Sequence, residues 1–385
     1  MTRGRPHGIV GTAWGLVPFG HLGWGYRHRR EFLRRAAEYA TDGLREGNLV
    51  VFVGRGPLSD LRAELDAVRG HLGADVRTGR IDACTVGEFY RFLPGTDVVD
   101  AEASVAVRVA ATEAAVAQGH TGFRAVVDAT AVARTPVQRE AFSRFEFLID
   151  EQMATLPVSA LCAYDEAELG SAAAGLVCLH PYVNDAGAPY QIYRATGVDI
   201  AVSGAVDAAH ATAFADLLST VWSPGTRPAL RIDATDTSVL APEALDRLDA
   251  AARRDGVTLT VAVSDPWLTA GHVDSAHVRL EHTAITEAPI DPDAVLRLRV
   301  ENSQLRTSLA SKPDIEQCKG MLKEAFGVDD DEAFELLKSI SQGSNVKLND
   351  VARSIVDSWA SDGPRPDREA AAAFLVGIRR RLGGT

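Results

Sequence analysis

Short apolar runs alternating with helix-length segments constrain the fold of this chain more than any other feature. The runs LVVFVG (49–54), FRAVVDAT (123–130), VSALCAYD (158–165) and GLVCLHPYV (175–183) read as strands. Between them, segments such as Glu31 to Glu46 and Ala101 to Gln118 are rich in Ala and Leu with charges on one face, as covering helices should be. Strands alternating with helices predict an α/β fold with a mostly parallel sheet and right-handed crossovers.

At 385 residues the chain exceeds a single ordinary domain, and two or three are expected. A turn-rich break, NDAGAP (184–189), precedes a second α/β unit. Its predicted strands are YQIYR (190–194), DIAVSG (199–204), PALRID (228–233) and TLTVAV (258–263), and its helices run from Ala208 to Val221 and from Pro242 to Arg254. The segment EAPIDPD (287–293), with two prolines and three acids, reads as a linker. Everything after it reads as helix. The expected organisation is an α/β region over 1–183, a second α/β region over 190–282, a linker over 283–293, a helical region over 294–360 and a tail over 361–385.

Composition excludes several classes. With 46% hydrophobic and 24% charged residues the chain can bury real cores and is not disordered, collagenous or disulfide-stapled. A net charge of −12 argues against non-specific binding to nucleic acid or anionic membrane, so any nucleic-acid contact must be local. Cys84, Cys162, Cys178 and Cys318 show no CxxC spacing, which fits reduced thiols in a cytoplasm. No signal peptide is read at the N-terminus, and no apolar run reaches the roughly 18 to 20 residues of a membrane-spanning helix.

The helical region opens with a heptad fragment in which Val295, Leu298, Asn302, Leu305 and Leu309 take a and d positions, a pattern for a dimer stem with Asn302 fixing register. An amphipathic helix packed on its own domain is the alternative. Three short helices follow. Ile315, Cys318, Leu322 and Ala325 form the first stripe, with Lys319 and Lys323 on another face. Asp329 and Glu332 are spaced as a capping box for a helix carrying Phe334, Leu337 and Ile340. Asn345 can cap the last helix, whose stripe is Leu348, Val351, Ala352, Ile355 and Trp359.

The stretch 311–356 resembles the ANTAR family in three places: the helix motif from Ile315 to Leu322, the acid-led segment from Gly327 to Leu337, and Ser344 to Ala352. Cys318 stands where Ala is usual in that family, and Lys312-Pro313 where an Arg is common. The resemblance implies a coiled-coil stem followed by a three-helix bundle, which binds hairpin loops of nascent transcripts as a homodimer and prevents termination. Residues 295–360 hold nine Lys/Arg against eleven Asp/Glu, so recognition must use local contacts. Lys312, Lys319, Lys323, Lys347 and Arg353 are the candidates for phosphates, and Asn345 and Asn349 for unpaired bases. Gly320 costs roughly 1 kcal/mol against Ala inside a helix, which points to RNA or a neighbouring helix close to its backbone. The tail, with Arg379, Arg380 and Arg381, can form an amphipathic helix.

The N-terminal region resembles the MEDS sensory domain, a RecA-like or KaiC-like α/β module, through His21 to Tyr26, Gly43 to Val53, Gly119 to Arg124, Phe145-Glu146, Leu161 to Asp165 and His180-Pro181. The resemblance implies a sensor for an unidentified small molecule. Nucleotide hydrolysis is not expected, because LVVFVG leads into Gly54-Arg55-Gly56-Pro57 with no Walker lysine. Open α/β sheets bind ligands beyond the carboxyl ends of their strands, where Arg55, Asp128, Asp165 and His180 are expected, with His21 added to the ligand set. His21, Cys162 and His180 have metal-ligand chemistry, but the mid-strand place of Cys162 favours a buried small hydrophobe, and neither metal nor other cofactor is expected.

Residues 190–282 resemble a STAS domain through Ile200 to Asp207 and Leu230 to Leu240. Ala241-Pro242-Glu243-Ala244 lacks the hydroxyl of phosphoregulated members, which leaves docking of a protein partner. The predicted protein is a non-enzymatic, cytoplasmic, homodimeric RNA-binding regulator. The alternative is a partner-switching regulator that acts through the STAS-like unit and uses its C-terminal helices to dimerise.

Overall fold

The computed structural model describes residues 6–16, 20–73, 75–76, 79–222, 228–264, 275–283, 315, 317–344 and 348–361. The chain divides into two units, Met1–Ile285 and Thr286–Thr385. In the first, elements run in the order β1 (Gly8–Ile9), β2 (His21–Tyr26), α1 (Arg29–Arg45), β3 (Leu49–Gly54), α2 (Leu58–Gly70), β4 (Ile81–Thr85), α3 (Val86–Phe89), α4 (Ala101–Ala117), β5 (Phe123–Asp128), α5 (Pro136–Met153), β6 (Val158–Asp165), α6 (Glu166–Leu169), α7 (Ala172–Val177) and β7 (Tyr182–Val183). The strands form one seven-stranded sheet, β1-β7-β2-β6-β5-β3-β4, with every pairing parallel.

Strand side chains alternate between two cores, as a sheet covered on both faces requires. In β6, Ala160, Cys162 and Tyr164 join a core with Phe142, Phe145 and Ile149 of α5, whereas Leu161 and Ala163 join the opposite core with Phe32, Ala36 and Tyr39 of α1. α5 starts with Thr135 as N-cap in a capping box with Gln138 and with Pro136 at the first position, where its missing N–H costs nothing.

The run 175–183 is not a strand. Ala172–Val177 is helix, and only Tyr182–Val183 pairs in the sheet, because a turn through Cys178 to Pro181 separates them. Conversely, His21–Tyr26 forms a fully buried strand between β6 and β7.

A second sheet in the same unit has the order β12-β11-β10-β9-β8, built from β8 (Tyr190–Tyr193), β9 (Ile200–Val206), β10 (Ala229–Leu240), β11 (Thr258–Val263) and β12 (Val278–His282). Only the β8–β9 pairing is antiparallel. Helices α8 (Ala211–Val221) and α9 (Pro242–Asp255) pack into its core, which also takes in Phe147, Cys178 and Leu179 from the first sheet's neighbourhood. β10 runs seven residues beyond Asp233, held to β9 through two register shifts.

In the C-terminal unit, α10 (317–326), α11 (Asp330–Ser344) and α12 (Leu348–Ser361) bury Cys318, Leu322, Ala333, Leu337, Val351, Ala352 and Ile355. Asp329 caps α11, accepting from the Glu332 N–H at 2.9 Å while Glu332 Oε2 accepts from the Asp329 N–H at 3.0 Å, the box its spacing predicts. Phe334 is exposed and Ala333 takes the core position, one residue earlier on the turn. The stem residues Val295, Leu298, Asn302, Leu305 and Leu309 lie outside the described residues.

Candidate functional site

Five polar side chains meet inside the α5-facing core of the first sheet. His21 opens β2, Cys162 lies mid-strand in β6, Glu146 and Asp150 stand one turn apart on α5, and His180 follows α7. All five are buried. His21 Nδ1 is 2.9 Å from Asp150 Oδ1, and His21 Nε2 is 3.2 Å from Glu146 Oε2. His180 Nδ1 is 3.1 Å from the Val177 carbonyl oxygen, which makes it a donor and turns Nε2 toward Glu146 Oε2 at 3.6 Å. The two imidazole rings lie 4.1 Å apart. Cys162 Sγ is 3.7 Å from His21 Nε2 and 3.6 Å from Glu146 Oε2, and the Tyr164 hydroxyl donates to Glu146 Oε1 at 2.8 Å.

Gly23 makes this arrangement possible. A Cβ there would sit 2.6 Å from the Val177 carbonyl oxygen and 2.7 Å from His180 Nδ1, so only a bare backbone admits the ring. Burial works against the charge on His21, but its hydrogen bonds to the Asp150 and Glu146 carboxylates outweigh it and raise its pKa. Burial, reinforced by the charge of His21, lowers that of His180. Burial would raise the Glu146 carboxyl, yet the two imidazoles hold it below its ordinary value. Burial beside that carboxylate pushes the Cys162 thiol well up. A cavity of about 20 Å³ with mainly apolar walls, including Phe89, Phe123 and Phe145, reaches Glu146 and Cys162. That volume suits a ligand about the size of one water.

The strand-end set is a separate place. Arg55 follows β3, Asp128 ends β5 and Asp165 ends β6, with Arg55 at 3.9 Å from each carboxylate. His180 and His21 do not belong to it. Leu22 pairs with Tyr182, so His180 precedes β7 and flanks the beginning of β2, away from the carboxyl ends. The strand-end charges are already paired: Arg29 donates to Asp128 at 2.6 Å and to Glu64 at 2.5 and 2.7 Å, and Glu168 bridges Arg55 and Arg134. Four of these, Arg29, Glu64, Arg134 and Glu168, had no motif to announce them.

Burial would raise the Glu168 carboxyl, but the two guanidinium hydrogen bonds win and lower its pKa. A carboxylate depressed on folding contributes stability above its unfolded pKa, and that contribution is lost as pH falls through the folded value. The melting-temperature gap between the parent chain and Glu168→Gln should therefore be widest near pH 6 and close on acidification through the carboxylate range. A gap independent of pH would remove Glu168 from the ion-pair cluster.

In the C-terminal unit Lys323 and Arg353 are exposed, as is Gly320, whose Cβ position has nothing within 4 Å. Lys319, expected among the phosphate-contacting lysines, is only 9% exposed. It lies four residues after Ile315 and three before Leu322, so its stem shares their packed face. Asn349 lies in α12, while Lys312, Asn345, Lys347 and the arginines 379–381 fall outside the described residues.

No curated protein matches the chain. Residues 20–181 match the family model described as MEDS, the MEthanogen/methylotroph, DcmR Sensory domain, and residues 303–356 match the ANTAR domain. The buried polar cluster therefore lies within the MEDS match and the Lys323–Gly320 face within the ANTAR match. The chain is a regulatory protein that carries a sensory MEDS domain and an RNA-binding ANTAR domain of the antitermination type.

Proposed function

We propose that the C-terminal unit binds hairpin loops of nascent RNA in the cytoplasm and prevents transcription termination, under control of a small molecule received by residues 20–181. The observation that carries this reading is the ANTAR match over 303–356, together with a helical glycine inside it that nothing among the described residues approaches. Glycine in a helix costs about 1 kcal/mol against alanine, and packing among the described residues gives no reason to keep it. A partner at the helix backbone does. Lys323 and Arg353 supply exposed cations for phosphates, and Lys312, Lys319 and Lys347 are the further phosphate candidates of the sequence. Asn345 and Asn349 read bases, and the heptad from Val295 to Leu309 joins two copies.

Hairpins with open loops should bind the full chain far better than fully paired RNA, because loops expose base edges that side chains can read. Equal affinity for both would sink the reading. Gly320→Ala should raise the melting temperature of the C-terminal unit while weakening hairpin binding, two changes of opposite sign that a purely structural glycine would not produce.

For residues 190–282 the STAS-like reading is a docking role. Ala241 precedes α9 without a side-chain cap, and Glu243 places a fixed negative charge in the first turn. An engaged protein partner would then act without a phosphorylation switch.

A further inference from the structure

We propose that His21 Nε2, Glu146 Oε2, Cys162 Sγ and His180 Nε2 ligate one divalent late transition-metal ion, zinc in the first instance. The four donor atoms lie within 4.8 Å of one another, on residues that are at most 3% exposed. A tetrahedral zinc site places nitrogen and oxygen at about 2.0–2.1 Å and sulfur at about 2.3 Å, which makes its edges about 3.3 Å between nitrogen and oxygen and about 3.6 Å from sulfur. The observed edges are 3.2 and 3.6 Å from the imidazoles to Glu146 Oε2, and 3.6 and 3.7 Å from Cys162 Sγ. Four edges thus fall within about 0.3 Å of a metal-sized tetrahedron.

The surroundings fit the same assignment. Metal-bound imidazoles normally donate their other N–H to a carboxylate or carbonyl, which fixes the tautomer and aims the lone pair. His21 Nδ1 has Asp150 and His180 Nδ1 has the Val177 carbonyl oxygen, so both Nε2 atoms face inward. Glu146 is held by Tyr164 through its other oxygen. His180 Nε2 is buried and has no partner within hydrogen-bond distance among the described residues, a desolvation cost that coordination would remove. Imidazole, thiolate and carboxylate together select zinc, cobalt or iron over calcium or magnesium. Four protein ligands in a closed interior make the site structural or sensory, unlike a hydrolytic centre with an open position. Binding would displace protons from Cys162 and from His21 Nε2 to solvent.

The test uses the full chain, stripped with a chelator and titrated with Co²⁺. Saturation near one ion per chain, with tetrahedral d–d bands and a thiolate-to-cobalt charge-transfer band, is the expected result, and Zn²⁺ should bleach both. Cys162→Ser should lose the charge-transfer band. Asp150→Asn should keep the spectrum and weaken affinity by about 10–100-fold, the loss usual for an outer-shell partner. The parent chain alone keeps the proposal falsifiable if a variant fails to fold: no tetrahedral spectrum and no thermal stabilisation by Zn²⁺ would overturn it. So would a charge-transfer band that survives Cys162→Ser, since the thiolate would then be another cysteine. Hairpin-RNA binding measured on the same parent sample is independent, so its failure bears on the antitermination reading and leaves the metal assignment standing.

Discussion

Arg124→Ala is expected to lower the unfolding free energy of the first unit by about 3–5 kcal/mol, the range for removing one partner of a buried charged network. Arg124 lies on β5, 1% exposed, facing α1. Its guanidinium donates to the Tyr39 carbonyl oxygen at 3.0 Å and to Ser159 Oγ at 3.2 Å, lies 3.6 Å from Glu46, and covers the Tyr39 ring at 4.4 Å. Gly43 opens the channel for its stem, since a Cβ there would come within 2.5 Å of Arg124 Cδ. Truncation would leave a long void between β5 and α1 and strip Glu46 of its counter-charge. Arg124→Lys should recover only part of the loss, because one ammonium cannot span the same fork of acceptors. Urea unfolding measures both; a loss below about 1 kcal/mol for Arg124→Ala would show that solvent or a neighbour replaces the guanidinium.

Where periodicity and burial agree, the sequence was legible to the residue: LVVFVG, VSALCAYD and TLTVAV are β3, β6 and β11 with the same bounds. HLGWGY was not read as a strand, because Gly23 and Gly25 weaken strand propensity. Their reason is tertiary, since one admits His180 and the other Ala186, and no local pattern encodes that. Glu146 and Asp150 were missed as site residues for a related reason. Acids spaced i, i+4 on a helix normally face water, and only the fold brings them against a histidine 125 and 129 residues away. A signal did exist: both sit inside the apolar stripe of Phe142, Phe145, Ile149 and Met153, where a solvated carboxylate has no place. The His21, Cys162 and His180 trio was legible as metal-ligand chemistry but ranked below a buried small hydrophobe, because a mid-strand cysteine looks like any small core residue until its neighbours are known.

Leu337→Ala should abolish most RNA binding without touching a residue proposed to contact RNA. Leu337 is fully buried in α11 against a core that includes Cys318, Leu322, Val351 and Ile355. Removing its branched end costs about 2–5 kcal/mol, while a core this small seldom supplies more than about 3–5 kcal/mol in total. The folded fraction of the C-terminal unit would fall to a tenth or less, and the apparent dissociation constant for a hairpin would rise by about tenfold or more in proportion. Leu337→Met, which nearly conserves volume, should bind like the parent chain. Lys323→Ala supplies the contrast, because an exposed side chain should weaken binding and lower its salt dependence while the melting temperature stays put. A Leu337→Ala chain that loses its C-terminal melting transition yet binds hairpins with parental affinity would move the RNA contact out of this unit altogether. Loss of both together would tie recognition to the folded bundle, and the separate behaviour of Lys323→Ala would then locate the contact on the surface around α10.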